Sequence, residues 1–364
     1  MIPYGHQNID QDDINAVVSV LKSDWLTQGP KVLEFEKKMA KYCGAKYAVA
    51  VSNGTAALHL AYSAAGLKKG DEVITTPNTF VATTNMMVAV GAKPVFCDIR
   101  LDTYNIDENQ IEKLITKKTK AIVPVHFAGQ PCEMDNILRI AKKHKLFVIE
   151  DACHALGAKY KNKKIGSLKS DMTVFSFHPV KPITTGEGGA ILTNNRKYYE
   201  KLLSLRSHGI HKDAAGKNVM TQLGYNYRLT DIQAALGISQ LNKLDEFIKS
   251  RNEVATIYAK LFKDFSTVVL PTVSKDSYSG WHIFVVRVDN LIRDKLMAYL
   301  RGKGIGVNFH YPAVYSQPYY QDNFKTKKLI NEEVYQSTCI TLPCYPGLKP
   351  SEIKKIVNDF KRFF

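Results

Sequence analysis

No stretch of this chain holds about 18 consecutive apolar residues, so none reads as a membrane-crossing helix. The opening, Met1-Ile-Pro-Tyr-Gly-His6, has no basic stretch leading into an apolar one, and the protein is expected to be cytoplasmic. Six cysteines (Cys43, Cys97, Cys132, Cys153, Cys339, Cys344) are scattered without a Cys-x-x-Cys pair or a framework spacing. That pattern argues against a disulfide scaffold and predicts reduced thiols. There is no internal repeat, and no segment is biased enough in Pro, Ser or Gln to suggest a disordered tail.

Acidic residues are scarce beside basic ones, 34 against 50, for a formal charge of +16 over 364 residues. Such an excess raises nucleic acid, an acidic membrane surface or a polyanionic small substrate as partners. The lysines fall as doublets on predicted helices (Lys37-Lys38, Lys117-Lys118, Lys142-Lys143, Lys354-Lys355), not as one stripe with interleaved aromatics. Solvated helix faces explain that pattern as well as a binding surface does. The length suits two domains, a large one over 1–244 and a smaller one over 245–364.

Read in order, the first half alternates short apolar runs with amphipathic stretches. Asp10 is placed to cap a helix whose Ile14, Val17, Val18 and Leu21 share one face. A second helix carries Val32, Phe35, Met39 and Tyr42, and strands are expected at 47–51, 72–75, 94–98, 121–125, 146–150 and 190–193. A helix opened by Asn105 with Glu108 is also expected, and later a strand over 305–309 and a last helix capped by Ser351. Strands separated by helices imply an α/β fold with a mainly parallel sheet, ligands meeting it at the carboxyl ends of the strands.

Three places stand out chemically. Ser52-Asn-Gly-Thr55 lies between a strand and a helix-like run, where free amides and the helix dipole attract phosphate. It lacks the lysine of a nucleoside-triphosphate loop and the full Gly-x-Gly-x-x-Gly of a dinucleotide fold, and ordinary helix capping explains it equally. Lys181 lies between Val180 and Pro182 in Phe175-Ser-Phe-His-Pro-Val-Lys-Pro-Ile-Thr-Thr-Gly-Glu-Gly-Gly189. A lysine partly out of water loses charge readily and becomes a nucleophile or Schiff-base partner. Ser176, Thr184 and Thr185 beside it are candidate hydroxyl donors to an anion, and the alternative is a Gly-rich turn with a snorkelling lysine. Asp151, at the end of a predicted strand, needs a cation or donors if buried. A Schiff-base lysine, a carboxylate on a ring nitrogen and a phosphate cup are what pyridoxal phosphate requires. Cys153 and His154 suggest a metal site next to Asp151, but no second cluster supplies the remaining ligands.

Four segments carry a family resemblance: Ser52-Asn-Gly-Thr-Ala-Ala-Leu58, Glu150-Asp-Ala-Cys-His154, Phe175 to Lys181 with Thr184 to Gly189, and Gly224-Tyr-Asn-Tyr-Arg228. Over nearly its whole length the chain resembles the DegT/DnrJ/EryC1/StrS sugar aminotransferases, which are fold-type I pyridoxal phosphate enzymes. The resemblance implies that Lys181 is the Schiff-base lysine and Asp151 the partner of the pyridine nitrogen, with His154 near the ring hydroxyl. It puts Gly54, Thr55 and Ser176 on the phosphate and Phe80 over the ring, although Phe80 and His154 also read as core residues. Asn226 matches an asparagine that family members lend across a subunit interface, which implies a homodimer with shared active sites. Arg228 is expected at the sugar nucleotide, and so are His310 and Tyr311, in a loop where Tyr315 replaces a histidine common in the family.

Relatives with histidine at the lysine position are dehydratases, so Lys181 implies transamination. L-glutamate would be the donor, pyridoxal 5'-phosphate the cofactor and pyridoxamine 5'-phosphate its intermediate form. Ser23-Asp-Trp-Leu-Thr-Gln-Gly-Pro30 and Pro182 resemble the pseudaminic acid branch, whose members aminate UDP-2-acetamido-2,6-dideoxy-beta-L-arabino-hexos-4-ulose. The alternatives are a D-configured UDP-4-keto-6-deoxy-N-acetylglucosamine, a dTDP-keto-hexose, or, from another class, a non-catalytic basic protein that regulates or binds nucleic acid. The transaminase reading needs no metal, no nucleic acid and no membrane. His178 reads either as a second acid/base or as a packing residue.

Overall fold

Short apolar runs buried on both faces build a seven-stranded sheet in the computed structural model, which describes residues 1–364. The strands are β1 (Tyr47–Val51), β2 (Glu72–Thr75), β3 (Lys93–Phe96), β4 (Thr119–Val123), β5 (Phe147–Asp151), β6 (Met172–Ser176) and β7 (Gly189–Thr193), in the order β1-β7-β6-β5-β4-β2-β3. Only β7 is antiparallel, to both of its neighbours, so the other six strands all end on the same edge. This is the α/β architecture and mainly parallel sheet expected from the sequence. Alternate residues divide between two cores: Ala48, Ala50 and Phe175 face Phe35, Met39 and Leu244, while Val49, Val51 and Val174 face Leu58, Leu60 and Leu202. No helix is long and apolar enough to cross a membrane, and all six cysteines are free thiols.

Four helices in the first ninety residues frame the site: α1 (Gln11–Leu21), α2 (Pro30–Cys43), α3 (Gly54–Ala64) and α4 (Ala82–Ala89). The face expected to bury α1 does not: Ile14, Val18 and Leu21 are exposed, whereas Asp13 and Val20 are buried. Polar contacts override the apolar pattern here, because Asp13 meets Lys243 at 2.8 Å and accepts from Gln240 at 2.7 Å on the helix Asp231–Phe262. The stretch opened by Asn105 is a loop. Asp107 caps a short helix, Glu108–Ile111, and the buried Asn105 side chain donates to Gln130 and Pro131 carbonyls and accepts from the Phe127 amide. It thereby fixes the 127–131 turn.

The helix Asp231–Phe262 runs unbroken from one part of the molecule to the other. Leu244, Phe247 and Ile248 pack on the sheet, while Val254, Tyr258 and Phe262 join a separate core with Phe284, Leu296, Ile340, Ile356 and Phe360. That second core surrounds the antiparallel pair Phe284–Arg287 and Cys339–Leu342. The segment expected as a strand over 305–309 makes only isolated bridges, Ile305 to Ile2 and Asn308 to Thr341, because its neighbour is the short N-terminal segment. The last helix, Pro350–Lys361, buries Ile353, Ile356, Val357 and Phe360 as expected, but Lys349 and not Ser351 is its cap, with Pro350 opening the first turn.

One carboxylate ties the two ends of this frame. Asp231 is 0% exposed, and its two oxygens accept from the amides of Gly29 and Val32, the orphan donors at the start of α2. Asp231→Ala leaves those amides buried and unpaired, and is expected to cost about 2 kcal/mol. Urea unfolding checks this, and an unchanged midpoint would show that water takes the carboxylate's place.

Candidate active site

Because β1, β5 and β6 end on one edge, the three segments singled out by chemistry converge there. They line a cavity of about 770 Å³, which includes Gly54, Thr55, Phe80, Asp151, His154, Ser176, Lys181, His310 and Tyr311. Close approach is built in. A Cβ on Gly54 would lie 2.9 Å from the Ser176 Cβ and 3.3 Å from the Cys153 sulfur, so only glycine lets α3 start against the ends of β5 and β6. Asn53 caps α3 by accepting from the Ala56 amide, which leaves the amides of Gly54 and Thr55 free at the positive end of the helix. The Ser176 hydroxyl stands beside them.

Asp151 is 5% exposed and has no cation paired with it. One carboxylate oxygen accepts from the Thr83 hydroxyl at 2.7 Å and the other from the Cys153 amide at 3.2 Å. Thr83 is in turn bonded to Thr79 at 2.7 Å, so the carboxylate is held in orientation but not neutralised. Its neighbour Glu150 points to the opposite face, where it meets His126 at 2.8 Å and Thr173 at 2.9 Å. Lys181 is half-buried on the turn after β6. Burial pushes its amine below the usual lysine range, partly offset by the nearby Cys153 thiol and Asp151 carboxylate.

His154 stands across from them. The Ala128 amide donates to its Nδ1 at 3.3 Å, so the neutral ring carries its proton on Nε2, which faces the Tyr311 hydroxyl at 3.3 Å. Burial, then the charges of Lys181 and His310, hold this imidazole well below its ordinary value and therefore neutral. Phe80 is 57% exposed at the cavity, with its ring 5.9 Å from that of Tyr311; it is not a core residue. His310 is fixed by a 2.8 Å hydrogen bond with the Thr341 hydroxyl.

Several expectations need correction. Thr184 and Thr185 are buried and do not reach the cavity: their hydroxyls donate to the carbonyls of Phe177 and Glu187 and shape the loop. Asn226, expected at the cavity of a second copy, is exposed and does not line its own chain's cavity, and Arg228 does not line that cavity either. Tyr315 also lies elsewhere, buried against Phe96 with its hydroxyl donating to Glu333. His178 and Glu187 line the cavity. Sequence reasoning missed Thr83, Tyr4, Tyr227 and His282, all lining residues. The i, i+4 spacing of Thr79 and Thr83 was a usable signal for the first, and Tyr227 lies within the Gly224 to Arg228 segment singled out above; Tyr4 and His282 come from remote segments with no motif.

Burial of neutral imidazoles makes stability depend on pH. Burial and the Lys181 charge push His310 down to about 4, against about 6.5 for an unfolded histidine. Between those values the unfolded chain binds a proton that the folded chain refuses, so stability present above about pH 6.5 is lost on acidification. His310→Asn keeps a polar group and removes this proton. Wild type is expected to lose up to about 1.4 kcal/mol more per pH unit than the variant as pH falls from about 6 to 5. Urea unfolding across that range tests it, with parallel slopes as the refuting result.

The whole chain has known relatives. Residues 7–361 match the model of the DegT/DnrJ/EryC1/StrS aminotransferase family. The UDP-4-amino-4,6-dideoxy-N-acetyl-beta-L-altrosamine transaminase of Campylobacter jejuni subsp. jejuni serotype O:23/36 is 42% identical over 97% of this chain and 95% of its own. Helicobacter pylori PseC, an aminotransferase involved in the biosynthesis of pseudoaminic acid, superposes with a TM-score of 0.96 at 37% identity over 100% of this chain and 99% of its own. The PMP-form of the putative sugar aminotransferase Spr1654 from Streptococcus pneumoniae gives 0.95 at 30% identity over 100% and 98%. A family model spanning almost every residue, together with a cavity at the strand ends that joins lysine, carboxylate and helix N-terminus, leads to one conclusion: this chain belongs to the DegT/DnrJ/EryC1/StrS family and is a sugar aminotransferase.

Proposed function

We propose that the chain uses pyridoxal 5'-phosphate to move an amino group from L-glutamate to the 4-keto carbon of UDP-2-acetamido-2,6-dideoxy-beta-L-arabino-hexos-4-ulose. The observation that carries the cofactor is the buried Asp151, oriented by Thr83 and the Cys153 amide and lacking a cation, in the same cavity as the half-buried Lys181 and the open N-terminus of α3. A ring with a protonated nitrogen, a carbonyl and a phosphate satisfies all three at once. The sugar rests on the 42% identity with the Campylobacter jejuni transaminase, whose name places the amino group at carbon 4.

Bound pyridoxal phosphate supplies an electron sink that makes the hydrogen on the amino-bearing carbon acidic. The residues of the chain do the rest. Asp151 would hold a proton on the ring nitrogen, the Gly54 and Thr55 amides with the Ser176 hydroxyl would hold the phosphate, and the His154 Nε2–H, which faces Tyr311, would be a donor for the ring oxygen. Phe80 and Tyr311 keep water from the reacting face. Lys181, with its amine proton weakened by burial, would hold the cofactor covalently at rest, and its freed amine would carry a proton from the donor carbon to the cofactor and, in the second half-reaction, from the cofactor to carbon 4 of the sugar.

The working unit in this reading is a homodimer. Ile14, Val18, Leu21, Trp25 and Leu26 are exposed along α1 and the segment after it, and Met220 and Leu223 are exposed at the end of the hairpin Ile210–Lys212/Asn218–Met220. Asn226 and Arg228 follow that hairpin and do not serve their own cavity, which supports a role in the cavity of a second copy.

The visible spectrum of protein reconstituted with pyridoxal phosphate tests the reading. Wild type is expected to show the band of lysine-bound cofactor and to lose it on addition of L-glutamate. In Lys181→Ala the glutamate-driven change should slow by about 10²-fold to 10⁴-fold. A wild type that binds cofactor and ignores glutamate overturns the donor, and one that binds none overturns the cofactor. Product analysis with UDP- and dTDP-linked 4-keto sugars decides the acceptor.

A further inference from the structure

His282 belongs to no sequence motif, yet the fold commits several unusual features to seating it. Its amide donates to the Ala128 carbonyl at 2.9 Å, and the Gly280 amide donates to the Gly129 carbonyl at 2.9 Å, so the 280–282 segment is clamped to the 127–131 turn. Its carbonyl accepts from Arg251 at 3.0 Å. Arg251 is 1% exposed and has no carboxylate partner; it also bonds the carbonyls of Trp281 at 3.2 Å and Cys344 at 2.7 Å. Trp281 and Ala128 both adopt left-handed backbone, with φ of 42° and 56°, which costs side-chain-bearing residues on the order of 1 kcal/mol each. A Cβ on Gly129 would lie 2.7 Å from the Trp281 nitrogen. Strain of this kind persists where the surrounding structure over-determines it, and it collects at functional sites.

The seated ring lines the cavity at 4% exposure, 4.4 Å from the ring of His154. Its Nδ1 is buried with no hydrogen-bond partner. An orphaned N–H is costlier than an orphaned lone pair, so the proton resides on Nε2. No protein group bonds Nε2, which is the ring nitrogen left to meet a ligand. Burial, then Lys181, His154, Arg251 and His310, keep the imidazole uncharged. A neutral N–H suits a neutral oxygen, whereas the carboxylates of glutamate call for cations.

We infer that His282 is a specificity-determining residue that donates a hydrogen bond from Nε2 to an oxygen of the acceptor sugar and makes no comparable contact with the amino donor. This assignment rests on the functional reading above. It leaves the cofactor contacts to Asp151, Lys181 and α3, and gives the second core a direct part in sugar selection.

Two variants separate donor from shape. His282→Phe keeps a ring packed beside that of His154 and loses the N–H, with His282→Leu in its place if the phenyl ring is not accommodated; His282→Gln keeps a neutral donor at similar reach. The two half-reactions are followed separately by cofactor absorbance, one with L-glutamate and one with UDP-4-amino-4,6-dideoxy-N-acetyl-beta-L-altrosamine. Calorimetry of the same amino sugar with cofactor-free protein gives a readout independent of catalysis. The apolar variant is expected to lose about ten-fold in both affinity and rate constant for the amino sugar, to stay within about two-fold of wild type for glutamate, and to be largely rescued in His282→Gln. Unchanged handling of the amino sugar by the apolar variant, or an equal loss in both half-reactions, overturns the inference alone. A wild type that ignores the UDP-linked sugar overturns the functional reading and this inference with it.

Discussion

A carboxylate held out of water without a cation of its own is the constraint on which the site turns. Asp151 is oriented by a hydroxyl and an amide, both neutral, so its charge is satisfied only when something positive enters the cavity. Lys181 does not fill that role, since its position leaves no ion pair between the two. The separation suits a ligand that spans them, with its protonated ring nitrogen at one end and its carbonyl at the other. The start of α3 then has to lie where a phosphate on the same ring reaches it, and Gly54 permits this by passing between Ser176 and Cys153. Fold and chemistry meet in that geometry: six strands ending on one edge supply all three parts.

The other wall of the cavity comes from the second core. His282, His310 and Tyr311 reach across from segments near the Phe284–Arg287 and Cys339–Leu342 pair, and Tyr4 joins them because the N-terminal segment pairs with residues 304–306. Arg251 holds this wall to the long helix through backbone carbonyls alone. Burial first, and then the charge of Lys181, keeps the imidazoles of His154, His282 and His310 uncharged, with Arg251 adding to the effect at His282. A wall of neutral donors beside a single reactive amine suits the reading of sugar oxygens. The large positive charge of the chain is not concentrated there, so it acts at most on the approach of an anionic nucleotide.

Much of the first wall was legible in the sequence because each part is local. Lys181 between apolar neighbours, Asp151 at the end of an apolar run and Ser52 to Thr55 at a strand-to-helix junction all show their environment within a few residues. Local reasoning failed where a distant partner decided the outcome. Thr184 and Thr185 have the chemistry of anion donors, but the loop folds their hydroxyls onto its own carbonyls. The apolar face of α1 is uncovered because a buried Asp13, paired with Lys243 and Gln240, turns the helix the other way. Asn105, expected to open a helix, instead pins the turn that seats His154 and His282.

By itself the sequence determined the α/β class, the alternation that makes the sheet parallel, and the lysine, carboxylate and helix start on which the proposed chemistry rests. These follow from hydrophobic periodicity and from residue types whose charge or flexibility is intrinsic. Tertiary structure alone decided which side chains complete the cavity: Thr83 behind Asp151, the tautomer of His154, and the placement of His282, Tyr4 and Tyr227. Their roles depend on burial and on hydrogen-bond partners tens to hundreds of residues away, and a contact of that range leaves no periodic trace in the chain.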